Sequence, residues 1–326
     1  MSGVSRRKLL TGAVVGATAI AGAPWVWRKL QVFDQPRKRV TQLRADRYDV
    51  DLADLILRGL RDHPGAVDKA RGGRVVLKPN LVEYSDIRPV NTNSAVMMAA
   101  IEAFRSVGAR EVVVAEGPGH RRDTEVLLEL TGLQRILAGL QVPFVDLNVD
   151  SVRAMPLPAD FTGMGTLQMG RTVLDADLFV SVAKLKTHHW AGVTLTMKNL
   201  FGTVPGRVYG WPKNPLHYAG IDRSILDLWH AIEPGFGIID GIVGMEGDGP
   251  IMGQAKASGV LFMGEHLPAV DATAARFMSL VPERMPYLAN APDIGATTAA
   301  SRIDVVGDVI DPMPFEVVER FAGLRA

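Results

Sequence analysis

The chain of 326 residues contains no cysteine. This absence excludes disulfides, thiolate nucleophiles, zinc–thiolate sites and cysteine-ligated iron–sulfur clusters. It leaves the compartment open, because a protein without thiols is compatible with both the cytosol and the periplasm. A divalent metal held by histidine or carboxylate groups is still compatible with the composition, so the sequence leaves the cofactor unknown.

A large net charge is also missing, since 36 Lys and Arg side chains stand against 35 Asp and Glu side chains. The body of the chain has no long basic block and no interleaving of basic with aromatic residues. These absences argue against nucleic acid as a partner. Hydrophobic residues make up 47% of the chain, which is enough for one large domain or two small ones.

The first residues carry the pattern of an export signal. Ser5-Arg6-Arg7 precedes an apolar run rich in Gly and Ala, and this order is typical of such signals. The paired arginines resemble the twin-arginine consensus Ser-Arg-Arg-x-Phe-Leu-Lys, with Leu9 where Phe is usual. We therefore expect the twin-arginine export machinery as a partner and a periplasmic or extracytoplasmic location.

Residues 1–27 allow two interpretations. Ala21-Gly22-Ala23 has the small residues of a cleavage site, but Pro24 directly after it opposes cleavage. The apolar residues 9–27 are about as long as the ~20 residues that cross a bilayer. The segment is therefore either a removed signal or an anchor in the cytoplasmic membrane, and we expect membrane contact only there.

Residues 28–45 are basic and aperiodic, which predicts a linker ahead of a body over residues 46–326. In this body, short apolar strands alternate with amphipathic helices. The predicted strands are 74–80, 111–117, 143–148, 178–184, 236–242, 259–265 and 302–308. The predicted helices are 50–63, 94–108, 124–140, 222–232 and 268–280.

Such alternation favours a parallel sheet that is covered on both faces. We therefore predict an α/β fold of the doubly wound kind, Rossmann-like or flavodoxin-like, with a mostly parallel sheet and helices on both faces. Residues 149–175 are rich in Gly, Met and Pro. They indicate either an insertion or a boundary between two lobes.

Polar and ionisable residues follow the predicted strands, at the edge where open parallel sheets bind ligands. We expect five strand ends to share that edge, the last of them followed by Glu265 and His266. Lysine binds carboxylate or phosphate, and glycine lets backbone N–H groups approach an anion, so we expect a small anionic ligand. The predicted ligand-binding residues are Lys78, Asn80, Glu116, Gly117, Gly119, Lys184, Lys186 and Asn199.

The segment KLKTHHWAGVTLTMKN (184–199) concentrates the candidate catalytic residues His188, His189 and Lys198. Histidine carries protons near neutral pH and binds metals, and a desolvated lysine acts as a base or forms a covalent adduct. Adjacent residues of an extended segment point in opposite directions, so we expect only one of the two histidines to face the site. His217, in a Pro-rich loop predicted to cover the cleft, is the fourth candidate.

Three carboxylates lie among glycines in DGIVGMEGDGPIMG (240–253). Carboxylates on a flexible loop are ligands for a hard cation, although this spacing matches no EF-hand. They would equally well neutralise lysines and histidines across the cleft. The predicted metal ligands are Asp240, Glu246 and Asp248.

Several motifs together resemble one family. VVLKPNLV, VVVAEGPG, KLKTHHWAGVTLTMKNLFGTVPG and IIDGIVGMEGDGP are similar to the motifs of the bacterial and archaeal family called domain of unknown function 362. The resemblance covers roughly residues 70–310 and implies a body whose activity is unsettled. Some members carry ferredoxin-type cysteine motifs, which this chain lacks, so the iron–sulfur cluster of those members is not expected here.

A weaker similarity concerns the lactate-racemase family, which uses a nickel-pincer nucleotide cofactor. In that family a His and a Lys at the spacing of His188 and Lys198 help to hold the cofactor, and other histidines move the substrate proton. His217 lies further along this chain. The resemblance implies cofactor contacts at the first two positions and proton transfer nearby.

Two functions fit these patterns. The first is an exported enzyme of isomerase or racemase type that transfers a proton on a small anionic substrate, with or without help from a metal or cofactor. Nucleophilic hydrolysis fits less well, because the chain has no G-x-S-x-G motif and no cysteine. The second is a non-catalytic periplasmic protein that binds a metal or an anionic ligand, or that takes part in cofactor maturation.

Overall fold

A mixed nine-stranded sheet runs through the part of the chain that this computed structural model describes, residues 37–119, 123–211 and 213–326. Two further strands, β5 and β6, pair only with each other. The strands are β1 (Lys38–Arg44), β2 (Arg74–Pro79), β3 (Glu111–Glu116), β4 (Phe144–Asp146), β5 (Val152–Pro156), β6 (Thr166–Gly170), β7 (Leu178–His188), β8 (Gly192–Thr194), β9 (Phe236–Glu246), β10 (Gln254–Gly264) and β11 (Ile303–Gly307).

Helices connect most of these strands. The α-helices are α1 (Leu52–Arg61), α2 (Pro64–Ala70), α3 (Ser94–Ser106), α4 (Thr124–Leu130), α5 (Leu133–Leu140), α6 (Arg171–Leu174), α7 (Gly206–Tyr209), α8 (Asn214–Tyr218), α9 (Ile221–Ile232), α10 (Leu267–Phe277) and α11 (Pro286–Asn290). Short 3₁₀ helices cover Lys198–Thr203, Pro282–Arg284, Ala291–Ile294, Ala300–Arg302 and Glu319–Leu324.

The sheet has the strand order β11-β1-β10-β9-β7-β2-β3-β4, with β8 paired to β7 outside this path. Strands β9, β7, β2, β3 and β4 are parallel to their neighbours within that run. Strand β10 is antiparallel to both β9 and β1. The carboxyl ends of β2, β3, β7 and β9 therefore meet at one edge of the sheet, which we call the carboxyl edge.

Helices cover both faces of the sheet because successive residues of its central strands alternate between two apolar cores. Val75 and Leu77 of β2 belong to the core that also contains apolar residues of α1, α3 and α5. Val76 belongs to the core that contains residues of α9 and α10. The predicted α/β fold with a mostly parallel, doubly covered sheet is therefore confirmed.

The amphipathic pattern of α1 shows how local sequence places a helix on the sheet. Leu52, Ile56 and Leu60 recur at a spacing of four residues and are all buried. Asp51 caps the helix, because its side chain accepts a hydrogen bond from the backbone N–H of Asp54. The same pattern predicted a helix here from sequence.

Part of the predicted basic linker is in fact a strand of the sheet. Residues 38–44 form β1, which pairs with β10 and β11, and Val40 and Leu43 are buried. The alternation in KRVTQLR is short and flanked by arginines, so the charges conceal the strand pattern. The predicted export signal or anchor (1–27) and the rest of the linker lie outside the described residues.

Residues 37–326 belong to one compact unit. The stretch 149–175, considered as a boundary between two lobes, contains the β5–β6 hairpin and helix α6. Leu167 and Met169 of β6 are part of the core that α9 and α10 share. This stretch therefore packs onto the rest of the compact unit.

The carboxyl end of β10 lies at the opposite edge of the sheet from the ends of β7 and β9, because β10 is antiparallel to β9. Glu265 there accepts a hydrogen bond from the backbone N–H of Ala66 at 2.6 Å. His266 caps α10. The expectation that five strand ends share one edge is therefore wrong for this strand.

Within residues 37–119, 123–211 and 213–326, no helix combines the length and the apolar character that crossing a membrane requires.

Candidate functional site

A cavity of about 330 Å³ opens at the carboxyl edge of the sheet. Most of the predicted site residues line it, although they come from segments far apart in the sequence. They are Lys78, Asn80, Glu116, Gly117, Gly119, Lys186, His188, His189, Lys198, Asn199 and His217. Lining residues that the sequence analysis did not assign include Trp190, Thr194, Phe201, Gly202 and Lys213.

The floor of the cavity is a buried polar network built on Lys78. Its Nζ donates to Glu116 Oε2 at 2.7 Å and to Asn199 Oδ1 at 2.9 Å. Glu116 also accepts from the backbone N–H groups of Leu81 and Gly117. Burial lowers the pKa of Lys78, and the Glu116 carboxylate opposes that shift. The carboxylate therefore organises the loops after β2 and β3 and already accepts three hydrogen bonds.

Two glycines allow this network to form. A Cβ added at Gly202 would lie 2.0 Å from Glu116 Oε1 and 2.5 Å from Lys78 Nζ. A Cβ added at Gly117 would lie 2.6 Å from the carbonyl oxygen of Gly202. Gly202 therefore belongs to the site, and the close approach that requires it depends on contacts between distant segments, which the sequence does not show.

Three of the four lysines that line the cavity, Lys186, Lys198 and Lys213, have no carboxylate partner among the described residues. Lys186 Nζ donates to the carbonyl oxygens of Val90 and Pro250 at 2.7 and 3.3 Å. Burial, reinforced by Lys184 and Lys198, puts the pKa of Lys186 well below its usual value. Lys198 Nζ lies 3.8 Å from the centre of the Phe201 ring, and burial lowers its pKa to about 7, with Lys78 contributing.

Lys213 is a fourth lysine of the cavity, from the loop predicted to act as a cover. Its backbone has a positive φ of 67°, and its Nζ donates to the carbonyl oxygens of Gly117 and Phe201 at 2.7 and 3.2 Å. Burial lowers its pKa to about 7. The sequence pattern did not predict this residue as part of the site, because nothing local indicates that its side chain reaches inward.

His188 has a defined neutral tautomer. Its Nδ1 accepts hydrogen bonds from the backbone N–H groups of Trp190 and Ala191 at 2.9 and 3.2 Å. The ring proton is therefore on Nε2. Burial and the nearby Lys198 hold the pKa of His188 well below its usual range, so the ring offers the cavity a hydrogen-bond donor.

His189 has the opposite arrangement. Its Nδ1 lies 3.1 Å from Asp248 Oδ1, and a carboxylate only accepts, so Nδ1 carries the proton. The Nε2 lone pair of His189 is then the basic position of the ring. Both histidines line the cavity, which corrects the expectation that only one would face it. The strand ends at His188, so its alternation does not apply to the next residue.

Aromatic rings form one wall of the cavity. Trp190 packs edge-on against His189 and His217, with ring centres 4.8 and 5.8 Å apart. Phe201 packs against His217 at 5.5 Å. The Nδ1 of His217 donates to the carbonyl oxygen of Lys213 at 3.2 Å, one turn earlier at the start of α8. The predicted covering loop therefore contributes to the wall.

Lys184, a predicted ligand-binding residue, is not among the residues that line the cavity. Its Nζ donates to Asp240 Oδ2 at 2.9 Å and to the Tyr48 hydroxyl at 2.8 Å. Both members of the ion pair are almost completely buried. The strand continues four residues beyond Lys184. The predicted strand end was therefore too early, and Lys184 lies within the strand and not at its carboxyl end.

The three predicted metal ligands do not come together. Asp240 is bonded to Lys184, Glu246 to Lys256 at 2.8 Å, and Asp248 to His189. Among the described residues, no group of three or more His, Cys, Asp or Glu side chains could hold a metal ion. The alternative that these carboxylates neutralise lysine and histidine agrees with the contacts.

Comparisons with known proteins give a family and a few relatives. A family model described as "Domain of unknown function (DUF362)" matches residues 75–276. The "Thylakoid-associated protein sll1697" of Synechocystis sp. is 27% identical over 274 residues, which are 82% of this chain and 82% of that protein.

Two solved structures are also similar to this chain, with lower sequence identity. The lactate racemase apoprotein from Thermoanaerobacterium thermosaccharolyticum has a TM-score of 0.48 and 16% identity, over 75% of this chain and 57% of that chain. A structural-genomics protein from Thermotoga maritima has a TM-score of 0.39 and 14% identity, over 62% of this chain and 52% of that chain. The chain thus spans little more than half the length of each.

Proposed function

The chain belongs to the DUF362 family, and from that premise we propose that its cavity binds a small organic anion and transfers a proton on it. The family description states no activity, so the proposal depends on the chemistry of the cavity. The ligand class is a carboxylate or a phosphate monoester that fits a volume of about 330 Å³.

The imbalance of charge in the cavity is the observation that carries the proposal. Four lysines line it, but Glu116 is the one carboxylate among its described lining residues, and it is already bonded to Lys78. Lys186, Lys198 and Lys213 have lowered pKa values because burial disfavours their charged forms. A bound anion would restore those charges, and each lysine would gain a partner in a largely water-free site.

The two histidines supply the proton chemistry. Asp248 holds His189 with its Nε2 lone pair available, so His189 takes the proton from the substrate as general base. Negative charge then develops on the substrate beside Lys198 and the Nε2–H donor of His188, which stabilise it. The proton returns from His189 or from protonated Lys198, whose pKa of about 7 lets it donate near neutral pH.

Calorimetric titration with acetate and with ethyl phosphate tests the anion site. We expect saturable binding to the wild type and a loss of about tenfold or more for Lys198→Met and Lys213→Met. Lys69→Met is the matched control, because Lys69 is exposed on α2. Equal binding by all four proteins would contradict the proposal.

Exchange of carbon-bound hydrogen in D₂O tests proton transfer. Pyruvate and malonate, small anions with acidic C–H groups, are incubated with the protein and followed by proton NMR. We expect exchange above the buffer rate that depends on His189. Binding without exchange for every anion that binds would favour the non-catalytic alternative.

We further propose that residues 1–27 direct export, which the sequence pattern supports. Replacing Arg6 and Arg7 together by lysine should abolish transport by the twin-arginine route, since that route recognises the arginine pair. The measurement is fractionation of cells that express the full chain. Undiminished export of the double variant would contradict the use of this route.

A further inference from the structure

Two residues that line the cavity each have a buried polar side-chain atom with no hydrogen-bond partner within the part of the chain that the structure describes. These atoms are Oδ1 of Asn80 and Oγ1 of Thr194. Both residues line the cavity, and they are only 7% and 4% exposed. Buried polar groups are nearly always bonded, so two unpaired groups in one cavity indicate positions that a ligand or its water occupies.

The orientation of Asn80 is fixed by its neighbours. Asn199 Nδ2 donates to the carbonyl oxygen of Lys78 and to Ser181 Oγ, which directs Asn199 Oδ1 towards Asn80. Asn80 Nδ2 donates to that oxygen at 3.1 Å. The remaining end of the Asn80 amide is therefore its carbonyl oxygen, which only accepts hydrogen bonds.

The backbone of Asn80 is held as firmly as its side chain. Its N–H donates to Thr92 Oγ1 at 2.9 Å, and its carbonyl oxygen accepts from the N–H of Thr92 at 3.0 Å. Asn80 Oδ1 is therefore a preorganised acceptor. It lies beside the Lys78 network and requires a donor from the ligand.

Thr194 supplies a second polar position in the same cavity. It lies on β8, where it is paired directly opposite Lys186 of β7. A hydroxyl rotates freely, so it both donates and accepts. It therefore suits a ligand group that makes hydrogen bonds in both directions.

We propose that the anion bound here also carries a hydroxyl group, which donates its hydrogen to Asn80 Oδ1 and accepts a hydrogen bond from the Thr194 hydroxyl. This inference rests on the proposed anion site and narrows its ligand class to hydroxylated carboxylates or phosphate monoesters. An ammonium group would also donate, but the lysines of the cavity would repel it. An uncharged donor satisfies the amide oxygen without that cost.

Matched pairs of anions test this inference by calorimetric titration of the full chain. The pairs are acetate with glycolate, and ethyl phosphate with 2-hydroxyethyl phosphate; 2-aminoethyl phosphate represents the ammonium alternative. We expect the hydroxylated member of at least one pair to bind about tenfold more tightly or better, because its analogue leaves buried groups unpaired. We expect 2-aminoethyl phosphate to bind more weakly than 2-hydroxyethyl phosphate.

Variants of Asn80 and Thr194 test whether these two residues cause the preference for a hydroxylated anion. In Asn80→Ala the ratio of affinities within each pair should fall to about one, and in Thr194→Val it should fall part of the way. Asn290→Ala, an exposed change on α11, should leave the ratio unchanged. The ratio in the wild type remains decisive if Asn80→Ala fails to fold.

The outcomes separate this inference from the anion site itself. If anions bind but the members of both pairs bind equally, or if 2-aminoethyl phosphate binds most tightly, the hydroxyl inference is overturned and the anion site stands. If none of the anions binds, both are overturned. A preference that persists in Asn80→Ala and Thr194→Val would overturn the assignment to these residues.

Discussion

His188 and His189 are adjacent in sequence, yet their surroundings give them opposite chemistry. Backbone N–H groups occupy Nδ1 of His188, whereas the Asp248 carboxylate occupies Nδ1 of His189. One ring therefore presents a donor at Nε2, and the other an acceptor. A pair of identical side chains thus provides both functions that a proton transfer needs.

The first prediction separates these roles. His189→Gln should abolish the exchange of carbon-bound hydrogen in D₂O while acetate binding falls less than about tenfold, because the general base is lost and the lysines remain. Asp248→Asn should lower the exchange rate about tenfold or more, because it no longer fixes the tautomer of His189. Proton NMR gives the rates. Full activity of His189→Gln would exclude this residue as the base.

The second prediction concerns the pH dependence of anion binding. The pKa values of Lys198 and Lys213 are lowered to about 7, so both side chains are largely protonated below pH 7 and lose their protons as pH rises through it. Binding of an anion above pH 7 must then take up protons. The affinity for ethyl phosphate should fall above pH 7, by up to about tenfold per pH unit for each lysine that must be recharged.

Calorimetry in buffers of different ionisation enthalpy, from pH 6 to pH 9, measures both the affinity and the proton uptake. Lys213→Met should show a shallower decline than the wild type, because one titrating group is gone. An affinity that stays constant up to pH 9, with no proton uptake, would contradict the role of these lysines.

At the scale of elements, the site depends on the approach of the 3₁₀ helix Lys198–Thr203 to the ends of β2 and β3. Asp271 of α10 secures the start of this helix, because its carboxylate accepts from the backbone N–H groups of Thr196 and Met197 at 2.8 and 3.0 Å. Burial raises the pKa of Asp271 to about 7. The position of Lys198 is thus tied to a helix on one face of the sheet.

The third prediction tests this close approach. Gly202→Ala should lower the free energy of unfolding by about 1–3 kcal/mol, because its Cβ would collide with Glu116 and Lys78. Gly139→Ala is the matched control, since Gly139 lies in α5 with nothing within 4 Å of an added Cβ. We expect that change to be neutral or stabilising by up to about 1 kcal/mol. Urea unfolding followed by circular dichroism measures both.

Sequence patterns predicted the elements that have strong local signals. Apolar runs rich in β-branched residues identified β2, β3 and β7, and the four-residue spacing of apolar side chains identified α1. The direction of β10 and the pairing of β1 were not predicted, because strand order is set by contacts between distant segments. The expected helix over 124–140 is two helices, separated at Gly132, whose φ is 72°.

Dependence on contacts between distant segments also limits how much of the site the sequence predicts. Lysine and histidine after a buried strand indicated a ligand-binding edge, and most of those residues line one cavity. Lys213 and Gly202 were missed, since their roles depend on contacts with Gly117 and Lys78 that only the fold creates. Lys184 was assigned to the site wrongly, because its ammonium group forms a buried ion pair with Asp240, a contact that the sequence does not show.

At the scale of the whole molecule, stability and ligand binding depend on two separate buried lysine–carboxylate pairs. Lys78 and Glu116 form the pair beneath the cavity, whereas Lys184 and Asp240 form a pair away from it, with Tyr48 bonded to both members. Breaking a buried pair leaves an uncompensated charge. The two pairs therefore offer a way to separate folding from function.

The fourth prediction uses this separation. Lys184→Met should lower the free energy of unfolding by about 3–5 kcal/mol, because the Asp240 carboxylate is left buried without its cation. The folded fraction should bind ethyl phosphate as the wild type does, since Lys184 does not line the cavity. Urea unfolding and calorimetry give the two quantities. Restoration of stability in Lys184→Met with Asp240→Leu would support the pair as the cause, whereas loss of binding in the folded fraction would place Lys184 in the site after all.

The position of Trp190 allows the cavity to be studied by tryptophan fluorescence. Its indole is 49% exposed and touches the rings of both His189 and His217. A protonated imidazole quenches the fluorescence of a neighbouring indole, so emission from this residue follows the protonation of two rings in the cavity. The chain has four further tryptophans, one of them beside His230 and His266. In a variant that keeps Trp190 alone, we expect stopped-flow emission to follow proton movement in the cavity without an attached dye.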